Sequence, residues 1–176
     1  MFVYFLILIV AFVYYVLAHE TNKSNSPLLL GVFFLYCALF IGLGDMIGGY
    51  DRYIYGEMFD SIADATDSGR DYSRLLFLVN GREYGYFLWE ILVSQLTANR
   101  YIFILFSSLL MYFLYYKAFR KYIDDYPLAA IIFLGLFFYF SITYMRQALA
   151  VGIAWQGIKY LYERKAIKFF LIVALA

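Results

Sequence analysis

The sequence predicts an all-α protein, a polytopic transmembrane helix bundle with one long extracytoplasmic loop. Three observations predict it. Of 176 residues, 65% are hydrophobic and 15% charged, against about 45–50% and about 25% in a soluble domain. The apolar residues fall into runs close to the length that crosses a bilayer as helix. Between the second and third runs lies a loop, residues 45–100, with nine acids, five arginines and no lysine. The chain divides accordingly into residues 1–44 (two spans), 45–100 (the loop) and 101–176 (three further spans and the start of a sixth).

Residues 2–18 form the first apolar run, about 26 Å long as helix. Val16-Leu17-Ala18 imitates a signal-peptidase site. No basic segment precedes the run, however, which favours a retained helix. A polar turn with Lys23 follows, and His19 beside it reads as an interfacial residue rather than a ligand. Residues 28–44 are the second span, where Gly31, Ala38 and Gly42 suit close helix packing. Two amphipathic helices are expected in the loop. The first covers 53–65, with Tyr55, Phe59 and Ile62 on one face. The second covers 84–96, with Phe87, Leu88, Ile91, Leu92 and Leu96 apolar, and both are expected to lie in or dip into the interface. Asp67-Ser68-Gly69-Arg70-Asp71 between them is a turn signal.

Residues 101–116 are the third span, followed by Lys117, Arg120, Lys121 and the turn Asp124-Asp125-Tyr126-Pro127. Residues 127–144 are the fourth. Residues 147–158 make a short fifth, rich in small side chains, and the basic stretch 159–168 follows it. Residues 169–176 begin another apolar run that stops after eight residues, where a span takes about 20. The chain therefore reads as the N-terminal part of a longer protein.

Segments 19–27, 117–126 and 159–168 hold eight lysines and arginines in 29 residues, whereas the loop holds five in 56. The short basic segments are thus expected in the cytoplasm and the acidic loop outside. Alternation then brings Arg146 to the outer side. A net charge of +1 carries no sign of nucleic-acid binding. The single cysteine, Cys37, lies in an apolar run, so neither an internal disulfide nor a cysteine-rich metal site is expected. No glycine-rich phosphate loop or metal-ligand spacing is present, and no cofactor or metal is expected.

Arg146 is the centre of the chemical reading. A charge at membrane depth costs about 2.5 to over 10 kcal/mol, so it is usually paired or lines a cavity. Guanidinium is forked for bidentate contact with carboxylate or phosphate. Arg146 and Gln147 stand near the start of the fifth helix, where free N–H groups and the dipole favour an anion. Residues 146, 150, 153 and 157 share one mostly small face. The competing reading is an interfacial arginine that anchors a helix end. In the loop, Asp51 and Arg52 follow Gly48-Gly49-Tyr50, which permits a tight re-entry. Gly81-Arg82-Glu83-Tyr84-Gly85-Tyr86 sets a carboxylate and a guanidinium beside two rings. Such carboxylates can accept a proton from a sugar hydroxyl, the arginines can neutralise phosphate and the tyrosines can stack on sugars. The alternative for any one of these acids is a solvated charge without chemistry.

Three motifs in order resemble the EpsG family: Asp51 with Tyr55, then Glu83, Gly85 and Tyr86, then Arg146, Gln147 and Ala150. Those are multi-spanning bacterial membrane proteins of exopolysaccharide and capsule synthesis, grouped with Wzy-type polymerases. The resemblance covers essentially the whole chain. It implies a glycosyltransferase-type polymerase in the inner membrane, joining repeat units carried on a polyprenyl diphosphate. Arg146 would meet the leaving diphosphate, and Asp51 or Glu83 would serve as base. Arg52 and Arg82 would help to hold the diphosphate, while Tyr86 and Trp89 would line the glycan path, with Tyr55 and Gln147 as further substrate contacts. Other synthesis and export proteins are partners in this picture. Two other readings compete: a flippase of the lipid-linked glycan, in which the arginines bind without a base, and a non-catalytic subunit that recruits soluble enzymes through its basic loops, which would then matter more than Arg146.

Overall fold

The computed structural model describes residues 2–20, 26–44, 50–67 and 84–175, all helical or in short connections, with no strand among them. Eight helices follow in order: α1 Phe2–Glu20, α2 Pro27–Leu43, α3 Tyr50–Asp67, α4 Tyr84–Ser94, α5 Arg100–Tyr122, α6 Tyr126–Thr143, α7 Met145–Tyr162 and α8 Ala166–Leu175. The helices α5 and α6 are long and apolar enough to cross a membrane, and the apolar helices Phe5–Glu20 and Pro27–Leu43 are shorter. Glu83 and Arg82 lie outside the described residues.

The helix starts have local causes. The side chain of Asn99 accepts the Tyr101 N–H at 2.8 Å and opens α5. Asp125 accepts the Leu128 N–H at 3.1 Å, and Pro127, which needs no N–H partner, sits in the first turn of α6. The expected boundaries hold to within a few residues, with two informative exceptions. The third apolar helix continues to Tyr122, carrying Lys117, Arg120 and Lys121 as its last turns, where cations complement the helix dipole. The fifth is a full 18 residues rather than a short segment, because its backbone hydrogen bonds continue past Ile158, the Glu163 N–H still reaching the Lys159 carbonyl.

The central strut is α5, which packs on α2, α3, α4 and α7. It runs antiparallel to α2, with Leu105 beside Gly42 and Tyr116 beside Gly31. Between lipid-facing helices there is little hydrophobic driving force, so close packing and polar contacts hold them. The packing here is aromatic: the Phe133 ring meets Phe34, Tyr115 and Phe119 at 5.4, 5.4 and 5.7 Å. Each such pair contributes about 0.5–1.5 kcal/mol beyond area burial. Midway along α6, Leu134–Phe138 form a π-helical turn, a feature that shifts carbonyls out of α-helical register. The Phe138 carbonyl accepts the Ser141 hydroxyl at 2.7 Å, and Ser141 in turn accepts the Tyr112 hydroxyl at 2.8 Å.

The loop helices do not stand apart. They pack on each other and on the N-terminal half of α5, with Phe59 stacked on Phe103 at 4.3 Å. Tyr55, Phe59 and Ile62 are all buried, as their spacing predicts. The buried face of α4 is a different one from its most apolar residues. Tyr86, Phe87, Glu90 and Val93 point inward, while Leu88, Leu92 and the following Leu96 are exposed.

A side chain at Gly42 would meet the Leu105 Cδ1 at 2.5 Å and its Cα at 3.1 Å, whereas one at Gly31 would make ordinary contact with Tyr116 at 3.6 Å. Gly42→Val should therefore destabilise the α2–α5 pair by about 1–3 kcal/mol. Gly31→Ala should be close to neutral. Thermal unfolding of both variants in detergent checks the contrast, and equal melting of the two would refute it.

Candidate functional site

A corner of one residue creates the site. The helix α6 ends at Thr143, Tyr144 breaks the helical path, and α7 starts at Met145. Beyond that corner α7 turns onto α5. Gly152 permits the approach, since a Cβ there would stand 3.2 Å from the Leu114 Cβ. Two hydrogen bonds lock it: the Tyr115 hydroxyl donates to the Ala148 carbonyl at 2.7 Å, and Gln156 Nε2 donates to the Leu114 carbonyl at 2.9 Å. Arg146 sits in the first turn of this pinned helix.

Arg146 lines a cavity of about 390 Å³ between α4, α5 and α7, together with Tyr86, Trp89, Leu110, Ala150 and Ile153. That volume lies within the range of small-molecule sites. Leu110 is ten residues into α5, about 15 Å along the helix from its start. The cavity thus reaches the middle of α5 on one side and the exposed Leu88 and Leu92 of α4 on the other. Ala150 and Ile153 stand on the Arg146 face expected from the helical spacing.

The α4 wall is fixed in turn. Trp89 Nε1 donates to the fully buried Ser107 hydroxyl at 2.8 Å. The Tyr86 ring packs 6.0 Å from Tyr55 and 6.2 Å from Phe103. Its hydroxyl is buried and has no hydrogen-bond partner among the described residues. Burial, followed by the Glu90 charge and Tyr55, pushes the Tyr86 phenol well above its usual range, while the Arg146 guanidinium draws it back. At neutral pH Tyr86 is thus a protonated donor within electrostatic reach of both an acid and a guanidinium. Buried polar groups normally find partners, and this one is free to donate to a bound oxygen. The buried Gln147 side-chain oxygen likewise has no partner among the described residues.

Three residues of the sequence reading, Arg146, Tyr86 and Trp89, line this one cavity. Tyr55 and Gln147 stand next to it, through the Tyr86 ring and through the chain respectively. Asp51 and Arg52 do not line it. Asp51, in the first turn of α3, is half-buried, and Arg52 lines a different cavity.

The residue that sequence reasoning passed over is Glu90, only 1% exposed and one helical turn from Tyr86. It was counted there only among the loop acids. A single carboxylate inside the apolar run Phe87 to Val93 was the available signal, because an acid on a buried face implies a partner or a task.

An apolar groove of about 770 Å³ between α2 and α5, lined by Gly31, Leu35, Ala38 and Phe113 among others, adjoins the cavity and shares Leu110 with it. Among the described residues, no group of three His, Cys, Asp or Glu side chains could hold a metal ion.

The EpsG family model matches residues 28–176, which include every residue lining the Arg146 cavity. The chain belongs to the EpsG family. Membership makes it a membrane protein of polysaccharide biosynthesis, in keeping with the two long apolar helices. No curated protein and no solved structure matches the chain.

Replacing Trp89 by Phe keeps the ring but strands the buried Ser107 hydroxyl. The expected cost is about 1–3 kcal/mol, read as a lowered melting temperature. Ser107→Ala combined with Trp89→Phe should recover part of it, and additive losses would contradict the hydrogen bond as the α4 anchor.

Proposed function

We propose that this EpsG protein is a polysaccharide polymerase of the bacterial inner membrane, joining oligosaccharide repeat units carried on a polyprenyl diphosphate. The observation that supports this most directly is the Arg146 cavity, walled by Tyr86 and Trp89, whose lining residue Leu110 also borders a separate apolar groove. A lipid-linked anionic sugar has the matching parts: a charged diphosphate, a ring face and a long apolar tail. In this reading the short basic segments lie in the cytoplasm, and the loop with the start of α7 faces outward.

The reaction is glycosyl transfer. The acceptor hydroxyl oxygen attacks the anomeric carbon of the donor, and the bond from that carbon to the diphosphate oxygen breaks. Its electron pair leaves on the diphosphate, and the hydroxyl proton passes to a carboxylate. Arg146 meets the charge that grows on the leaving oxygens, where a fixed cation in a dry site has most effect. The Tyr86 hydroxyl adds a hydrogen bond, Trp89 offers a ring face to the sugar, and Gln147 orients the group at the helix start. Asp51 and Glu83 remain candidate bases on the family motif. Glu90, which is buried one helical turn from Tyr86 but does not line the cavity, joins them through that neighbour. The isoprenoid tail lies in the α2–α5 groove.

Polymer length in cells carrying the full-length protein tests the reading. Arg146→Lys keeps the charge but loses the fork, and long polymer should disappear at normal membrane abundance. Unchanged polymer would reduce Arg146 to a replaceable charge. For Glu90→Gln, transfer should fall by about 10²–10⁴-fold, while binding of the lipid-linked substrate stays within about threefold of wild type. If binding and transfer fall together, transport without a base becomes the better account. A reporter fused in the Ile123–Asp125 connection should be cytoplasmic, and an outward reporter would invert the proposed orientation.

A further inference from the structure

We propose that an anionic phospholipid docks in an apolar groove between α5, α6 and α7, its chain in the groove and its headgroup on Lys121 and Lys159. The groove, about 360 Å³, is lined by Phe119 and Tyr122 near the end of α5, Leu136 and Phe137 of α6, and Trp155 and Ile158 of α7. It shares no residue with the Arg146 cavity or with the α2–α5 groove. The inference rests neither on the polymerase reading nor on which side of the membrane this end of the bundle faces.

The groove has the form of a slot for a chain. Its lining on α6 runs from Ala129 to Phe137, about 12 Å of helix. Ile132 and Leu136 on that stretch are 51% and 72% exposed, so the slot opens sideways from the bundle. The helix α6 is long and apolar enough to cross a membrane, and in a bilayer this open side meets hydrocarbon. The back wall is aromatic, with the Trp155 ring 5.7 Å from Phe137 and 6.2 Å from Phe119. Such a wall offers dispersion contacts to a methylene chain and no hydrogen bond to a polar solute.

One end of the slot is cationic. Lys121 stands next to Tyr122 and Lys159 next to Ile158, the two residues with which α5 and α7 finish the lining. Lys121 Nζ lies 5.1 Å from the Tyr122 ring centroid, and Lys159 Nζ lies 4.6 Å from that of Tyr160. Among the described residues neither lysine is in an ion pair. The acids of this end do not cancel them. Glu163 is held by Lys165 at 2.7 Å, and Asp125 accepts the Leu128 N–H at the start of α6. Counting Asp124 as well, segments 117–126 and 159–168 carry seven lysines and arginines against three acids. Lys165, and behind it Lys159 and Lys121, hold the Glu163 carboxyl below its usual range. Cations from the ends of α5 and α7 thus stand within reach of one carboxylate. The Tyr122 hydroxyl is buried with no hydrogen-bond partner among the described residues, which leaves a donor for a headgroup or ester oxygen. A chain slot under a positive rim fits an amphiphile with a negative head. Lysines at such a level gain from anionic lipid, whereas a zwitterionic lipid fills the slot without answering the rim.

Native mass spectrometry of the full-length protein, delipidated in detergent, tests the site with phosphatidylglycerol and phosphatidylethanolamine of identical chains. Wild type should retain phosphatidylglycerol about tenfold or more in preference to phosphatidylethanolamine. Lys121→Gln with Lys159→Gln should bring the two lipids level. Lys121→Gln alone should lower the preference by about threefold or more, and it decides the matter should the double variant not fold. Lys117 is the control: its Nζ lies 5.6 Å from the Phe113 ring, which lines the α2–α5 groove instead. Lys117→Gln should leave the preference within about twofold of wild type. Equal retention of both lipids by wild type overturns the proposal. So does a loss with Lys117→Gln as large as with Lys121→Gln, which would mean diffuse attraction or a lipid in the other groove.

Discussion

The polar face of α5 holds the rest of the structure in place. Four groups along this one apolar helix reach sideways: Ser107 to Trp89 on α4, Tyr112 to Ser141 on α6, Tyr115 to the Ala148 carbonyl, and the Leu114 carbonyl to Gln156 on α7. Among apolar helices in lipid, shape alone distinguishes one packing from many near-equivalent ones, and an unpaired buried polar group costs free energy. Each of these bonds therefore selects one rotation and one depth for its partner helix. The aromatic cluster around Phe133 fills the space between, but its rings could repack. The polar ladder is less forgiving.

The position of Arg146 follows from that ladder. The Tyr115 bond ends two residues from Arg146, and the Gly152 contact brings the same helix face against α5. A guanidinium in an apolar bundle needs polar company. Arg146 has Tyr86 within electrostatic reach, and Tyr86 in turn has the buried Glu90 one turn along the same helix. The wall of the site is thus made by a loop helix anchored through Trp89, and its floor by α5 and α7. Leu110 is the one residue lining both this cavity and the apolar groove between α2 and α5.

Much of this was legible in the residues themselves. Run lengths and hydropathy determined the helical class and the order of elements. The Asn99 and Asp125 caps set two boundaries, and the Tyr55, Phe59, Ile62 spacing set the buried face of α3. The Arg-Gln pair marked the start of α7. Periodicity is local, and each of these features needs only neighbours within a turn or two. For α4 the apolar residues do not mark the core face, because an apolar residue gains as much from lipid or interface as from the core, and hydropathy no longer reports direction. Only the tertiary structure turned Glu90 inward, put Arg146 and Leu110 on the walls of one cavity and sent Arg52 to another. Those outcomes depend on which helices touch, and contact between distant segments is decided by shape and polar pairing that no single stretch of sequence contains.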